Sequence, residues 1–459
     1  MVTIYFDKQL FSHLFNAQEG KYRVLRDKIL SHRDEFIFLY SNAHLFDLQQ
    51  DMTDIKYEEM DFMQTIVDGN HIFFENPNIM VGKETPRSVF DNIAAMDDFS
   101  WLANFDLSQI TNEQRDVINN IMDISYKDLT GQLEFDWLKK RTPICSNELQ
   151  IDKASFTSFV KFVKENFYDN KNSYKQIRDN AINNYNPALI TSDCESIFNN
   201  QLASAPLGLS FIETIKATIN QIGLPISDAS TIYYMSYMLL DLLGVSREAR
   251  KKVKFRNMQT DCMHSFFGSY CDCFVSDDVG IIRKCKTLYN LFNFETKIYS
   301  IDEFITKFDE AIDNNQKSVS VFLEEIRNDY QLRKVVKEDT SAPYTLTHLF
   351  SFHKYFGYFN HMLERKSKDE TVIILYKNHI ASQLLLIQEI EIIVNRLVHA
   401  FNDLGATFGL FNRDIEMTQI KADNWGRVLR LDDADIGLTT VKEPLRLCLW
   451  IKLRPSVLR

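Results

Sequence analysis

The sequence predicts an α/β chain: a parallel-sheet core interrupted by a long all-helical insertion, then a mostly helical C-terminal domain that ends in a few short strands. Three observations predict it. Short β-rich runs alternate with helical patterns over residues 1–75, the signature of βαβ units and a parallel sheet. Strand character then fades from about Glu75 to Leu243 and returns at Cys273. Beyond Phe308 long helical patterns run to Leu404, before the strand-like runs RVLRL and LRLCLWIKL. The expected division is residues 1–75 and 244–308 for the core, 76–243 for the insertion and 309–459 for the C-terminal region.

Taken in order, TIYF (Thr3 to Phe6) is a short β-rich run ended by Asp7, and Leu10, Leu14 and Phe15 mark the helix after it. FIFLY (Phe36 to Tyr40) is a second buried strand, closed by Ser41, a favoured helix N-cap. HIFF (His71 to Phe74) is a weaker third. FTSFVKFVKENF, LSFIETIKATINQI and ASTIYYMSYMLLDLLG carry helical periodicity through the insertion. Two strands complete the core, CFVS and KIYS, and Ser300-Ile301-Asp302-Glu303 after the latter is a capping-box pattern.

Composition narrows the function. The chain has 459 residues, 45% of them apolar and 25% charged, with only 14 Gly and 9 Pro, so it can bury a sizeable core. MVTIYFDKQLF carries charges where a signal peptide needs an apolar stretch. SQLLLIQEIEIIV is broken by Glu389 and Glu391, so no membrane span is expected. Seven cysteines without an export signal suggest reduced thiols and a cytoplasmic protein. A net charge of -11 argues against general polyanion affinity, which leaves only a local basic patch for nucleic acid.

Carboxylates mark the chemistry. Asp7 follows the first strand, Asp278 follows the strand CFV, Asp47 lies in the helix after the second strand, and Asp261 opens the run TDCMHSFFGSY. In an open parallel sheet the carboxyl ends of the strands face the ligand crevice, so Asp7 and Asp278 share one rim. His44, Asp47 and Asp51 fall on one helix face. Carboxylates gathered at a rim repel one another unless cations sit there, and an oxygen-rich set points to Mg²⁺ or Mn²⁺.

The ordered set IYFD, FLYSNAHLFDL, TDCMH and CFVSDD resembles the PIN-like nuclease domain over Val2 to about Phe74 and about Asn257 to Phe308. The resemblance implies metal-dependent phosphodiester hydrolysis, with RNA the first expectation and DNA an alternative. It implies that Asp7, Asp47, Asp261 and Asp278 are the catalytic, metal-holding acids. Ser276 is then the small hydroxyl residue two before the last acid, with Asp277 and His44 in support. Two departures stand out: Asp47 occupies a position where Glu is commoner, and the insertion before Asp261 is very long. A toxin or phage-defence role, and a regulatory protein or second copy bound through the insertion or C-terminal region, are expectations of the same resemblance.

Each feature has an ordinary alternative. Asp7 and Asp278 can simply cap helices, which would leave a non-catalytic scaffold. Asp51 reads as solvated. His44 reads equally as a structural polar contact or a partner for a metal-bound water or phosphate. Cys262, Cys271 and Cys273 with His264 lack a CxxC pair and read as buried small residues rather than a zinc site. Tyr233, Tyr234 and Tyr237 read as core.

REARKKVKFR is the densest basic run and ends shortly before Asp261. Arg250, Lys251, Lys252, Lys254 and Arg256 are the candidate phosphate-tracking residues, with a solvated connector as the alternative. Replacing Lys251 and Lys252 with Ala is expected to weaken nucleic-acid binding about equally across sequences. It should also flatten the salt dependence by roughly one unit of slope, or a little less, per lost phosphate contact. Binding of the Asp278→Asn protein at several salt concentrations, with and without the double substitution, measures this; an unchanged slope makes the run a connector.

Overall fold

The computed structural model describes residues 1–18, 20–75, 78–95, 209–222, 229–242, 255–315, 317–341, 344–368, 370–378, 382–401, 409–431, 434–442 and 445–453. Six strands lie in the N-terminal and central stretches: β1 (Thr3–Phe6), β2 (Ile37–Leu39), β3 (Asn70–Glu75), β4 (Asn78–Lys83), β5 (Cys273–Val275) and β6 (Lys297–Tyr299). Four of them form a parallel sheet in the order β2-β1-β5-β6. β1, β2 and β5 are buried throughout, as continuous apolar runs in a two-sided sheet must be. Tyr5, Ile37, Leu39 and Phe274 contribute to one core, while Ile4, Phe6, Phe38, Cys273 and Val275 contribute to the other, the period-two alternation of a strand.

A helix leaves the carboxyl end of each of these strands: Lys8–Phe15, Asn42–Gln49, Val279–Leu291 and Ile301–Asn315. Asp7, Ser41 and Asp278 cap the first three. The expected capping box is formed at the fourth, where Glu303 Oε2 accepts from the Ser300 backbone N–H at 2.8 Å and Ser300 Oγ accepts from the Glu303 N–H at 3.3 Å.

Two expectations are corrected. The run His71 to Phe74 is a strand, as expected, but it meets the four-stranded parallel sheet by a single parallel bridge only. It lies in β3, which pairs antiparallel with β4 and touches the parallel sheet through the Tyr40–His71 bridge. Only two residues separate β3 from β4, and so short a connection joins antiparallel strands only. β4 itself falls where no strand was expected.

The C-terminal region is not mostly helical. It carries a seven-stranded antiparallel sheet made of β7 (Val335–Ser341), β8 (Tyr344–Leu349), β9 (His361–Lys366), β10 (Thr371–Tyr376), β11 (Gly426–Arg430), β12 (Ala434–Lys442) and β13 (Leu445–Leu453), in the order β11-β12-β13-β10-β9-β8-β7. Helices Val319–Leu332 and Gln383–Phe401 are present, but four strands lie between them. Strands such as VVKEDTS and HMLERK are rich in charge because an antiparallel sheet can leave a face or an edge in water. Gly437 faces Trp450 across β12 and β13, and a Cβ there would lie 2.2 Å from the indole ring.

Of the insertion, helices Phe211–Ile222 and Ala229–Leu242 lie where the periodicity put them; FTSFVKFVKENF lies outside the described residues. Tyr233 and Tyr237 are core residues. Asp241 pairs with Lys284 at 2.8 Å with both side chains buried, which ties the insertion to the helix after β5. No helix among the described residues is long and apolar enough to cross a membrane.

Asp272, just before β5, is a buried electrostatic junction. Its Oδ2 accepts from the backbone N–H groups of Val2 at 2.6 Å and Thr3 at 3.0 Å. Its Oδ1 meets Lys354 at 2.9 Å and Lys377 at 3.2 Å, and Lys377 also pairs with Glu389 at 2.9 Å. Burial alone would raise this carboxyl, but the two lysines hold it well below the usual carboxylate range. Nearby, buried Arg396 donates to the carbonyls of Phe356 at 2.7 Å and Glu35 at 2.6 Å. Together these contacts bind the C-terminal region to the parallel sheet.

Asp272→Asn is expected to cost about 3–5 kcal/mol, because the buried Lys377 loses a counter-charge. Denaturant unfolding measures it. A carboxyl lowered by folding stabilises above its unfolded pKa, and that contribution fades as pH falls through the lowered value. The gap between wild type and variant should therefore narrow in acid.

Candidate active site

The carboxyl ends of β1 and β5 are adjacent because the register pairs Phe6 with Val275. The residues that follow are therefore neighbours. Asp7 donates its backbone N–H to the Val275 carbonyl at 3.0 Å. Its side chain is almost wholly buried. Oδ1 accepts from the Leu10 N–H at 3.2 Å, and Oδ2 accepts from the Ser276 hydroxyl. Ser276 Oγ in turn accepts from the Asp278 N–H at 3.0 Å, while Asp278 Oδ1 accepts from the Ile281 N–H at 2.9 Å. Ser276 is thus the link that fixes the two acids relative to each other.

Asp47 stands on the helix after β2, and Asp261 on the helix Phe255–Gly268 that leads into β5. Asp7, Asp47, Asp261 and Asp278 all line one cavity of about 330 Å³, together with Lys8, Gln9, Ser12, His264 and Ile281. The four acids singled out in the sequence are brought together. Lys8 lies at the same wall, 3.4 Å from Glu59.

The supporting residues divide. Ser276 takes part as described. Asp277 does not line the cavity; its Oδ1 accepts from the Ile301 N–H at 2.8 Å and so serves the neighbouring helix. His44 is fully buried and structural. Its Nε2–H donates to the Phe6 carbonyl at 2.8 Å and its Nδ1 accepts from the Ser41 N–H at 3.1 Å. Burial keeps that ring neutral and leaves it no nitrogen for a ligand. Asp51 accepts from the Thr53 N–H at 2.8 Å. Arg256 donates to Gln49 Oε1 at 3.0 Å, at the end of the helix that bears Asp47. Arg250, Lys251, Lys252 and Lys254 lie outside the described residues.

His264 is the site residue that the sequence reading did not assign. Its Nε2 lies 3.1 Å from Asp47 Oδ2 and its Nδ1 lies 3.0 Å from the Tyr5 hydroxyl. The signal was its place three residues after Asp261, on the same helix face. Cys262, Cys271 and Cys273 are free, buried thiols that burial pushes up, the behaviour of core residues.

Electrostatically the site is crowded with negative charge. Burial pushes the Asp7 carboxyl up and Asp278 adds to the rise, while the Ser276 hydrogen bond and His264 oppose it. Among the described residues no three His, Cys, Asp or Glu side chains close round a single point, as a dehydrated cage requires. Carboxylates spread over a cavity wall suit Mg²⁺, which keeps several waters and takes one or two carboxylates from the protein. The donor set fits such an ion.

A carboxyl raised by burial destabilises the fold when ionised, and that penalty disappears as pH falls from its raised pKa to the unfolded value. Asp7→Asn should therefore match or exceed the wild-type melting temperature at neutral pH, and its advantage should shrink in acid. Melting curves from neutral to acid pH test this; a large loss of stability at neutral pH would make the Asp7 charge structural.

Compared with protein-family models, curated proteins and solved structures, the chain finds no match in any of the three.

Proposed function

We propose that the protein is a metal-dependent nuclease of the PIN-like kind, with RNA its first substrate class. One observation carries the reading: four aspartates from separate stretches of chain line a single cavity at the carboxyl rim of a parallel sheet, where open α/β folds bind ligands. Asp7, Asp47, Asp261 and Asp278 would hold Mg²⁺ or Mn²⁺. The chemistry such ions supply when bound is activation of water and neutralisation of charge on the departing oxygen.

The chain's own residues prepare the site. Ser276 and the Leu10 N–H hold Asp7 from both oxygens, so the buried carboxylate has one orientation. Lys8 supplies a cation at the cavity wall for a phosphate. A regulated role, as a toxin or defence effector, follows only from the resemblance, with the insertion and C-terminal region as the elements to restrain it.

A second reading has its own support. Asp7 and Asp278 each cap a helix with Oδ1, which is all a non-catalytic scaffold would ask of them. Incubation of the protein with mixed cellular RNA and DNA and Mn²⁺ separates the readings. Wild type should cleave, with RNA consumed before DNA. Asp278→Asn and Asp7→Asn should abolish cleavage, EDTA should stop it, and Zn²⁺ should substitute poorly. Cleavage that persists in chelator, or in both variants, overturns the proposal; no cleavage by wild type favours the scaffold, and DNA consumed first makes the enzyme a deoxyribonuclease.

A further inference from the structure

We infer that His264, backed by Tyr5, is a positioning residue that fixes the Asp47 carboxylate for a divalent cation; the inference rests on the metal-binding reading of the cavity. A line of hydrogen bonds stands behind Asp47. An ionised carboxylate can only accept, so His264 Nε2 donates to Asp47 Oδ2 across 3.1 Å. In the neutral ring Nδ1 is then an acceptor, and the Tyr5 hydroxyl donates to it across 3.0 Å. With its proton committed, Tyr5 accepts from the Ser41 hydroxyl at 2.6 Å, and Ser41 Oγ accepts from the Ala43 N–H at 3.2 Å. With the ring neutral, the line runs from a backbone N–H to a carboxylate.

Burial makes the arrangement rigid. Tyr5 and Ser41 are fully buried, and His264 is nearly so. The His264 ring is flanked edge-on by His44, with centroids 4.7 Å apart at 90°. His44 cannot take over, because both its nitrogens are engaged with backbone. Asp47, by contrast, is 29% exposed at the cavity, so its outward orientation depends on what holds it from behind. Partners that hold a ligating carboxylate from outside the metal shell are typically worth 10–100-fold in metal affinity.

The test is Mn²⁺ binding to the full chain by titration calorimetry, which reads the site without requiring turnover. His264→Phe keeps a ring of similar bulk and removes the donor; it should weaken Mn²⁺ binding by about 10–100-fold. His264→Gln keeps an N–H that reaches towards Asp47 and should recover most of that loss. Tyr5→Phe, which frees Nδ1 and so the ring's tautomer, should fall between them. A packing role predicts the opposite order, with Phe better tolerated than Gln in both Mn²⁺ affinity and melting temperature. Wild-type affinity in His264→Phe, or equal losses in Phe and Gln, overturns the assignment of His264 alone. Should His264→Phe fail to fold, Tyr5→Phe and His264→Gln carry the comparison, and wild-type affinity in Tyr5→Phe overturns the Tyr5 link. Wild-type protein that takes up no Mn²⁺ overturns the metal reading itself, and this inference with it.

Discussion

The buried carboxylate of Asp272 sets the alignment on which the site depends. By accepting from the N–H groups of Val2 and Thr3 it fixes where β1 begins beside β5. That register pairs Ile4 with Cys273 and Phe6 with Val275, and it delivers Asp7 opposite Ser276 at the far end. A slip of one residue would turn Tyr5 to the other face of the sheet and away from His264. The charge that secures one end of the sheet thus determines the geometry at the other. Lys354 and Lys377 make that charge tolerable inside the protein, so the C-terminal region takes part in aligning a site to which none of its described residues contributes.

At the carboxyl rim, folding draws on the same groups that the proposed chemistry would use. Asp7 and Asp278 each give one oxygen to a helix N-terminus, where negative charge is favoured. This partly compensates carboxylates whose mutual repulsion and burial would otherwise be costly. Ser276 connects them without adding charge. The cap holds each backbone in place.

Much of this was legible in the sequence because it is local. A strand followed by Asp or Ser and then a helix is written in consecutive residues, and TIYFD, FLYS and CFVSDD read correctly for that reason. Asp7 and Asp278 were read from that pattern, and Asp47 and Asp261 from their places in the ordered set of acid-bearing motifs. His264 and Tyr5 were not, because their roles come from contacts across 217 and 259 positions of the chain and nothing beside them in sequence marks the partners. His44 misled in the opposite way: it shares a helix face with Asp47, but the capping box draws it inward. Of the antiparallel C-terminal sheet RVLRL and LRLCLWIKL were read as strands; the others escaped because they mix charged and apolar residues, and a charge on a wet strand face looks the same in sequence as one on a helix surface. The hairpin β3–β4 was half seen, since HIFF has strand character but its partner NIMVGK has little.

One feature of the packing bears on how the chain can be taken apart. The core on the Tyr5 face of the parallel sheet continues through the insertion helices into the C-terminal strands, with Phe274, Tyr233, Ile373 and Leu449 in one cluster. The opposite core closes locally around the helices that flank β1 and β2. The two faces of one small sheet therefore differ in independence. A fragment that stops after the helix Ile301–Asn315 keeps every cavity aspartate and an intact core on one side. It also bares an oily surface on the other and strands Asp272 without its lysines. The nominal boundary near residue 308 falls inside the helix Ile301–Asn315 and does not divide the core on the Tyr5 face.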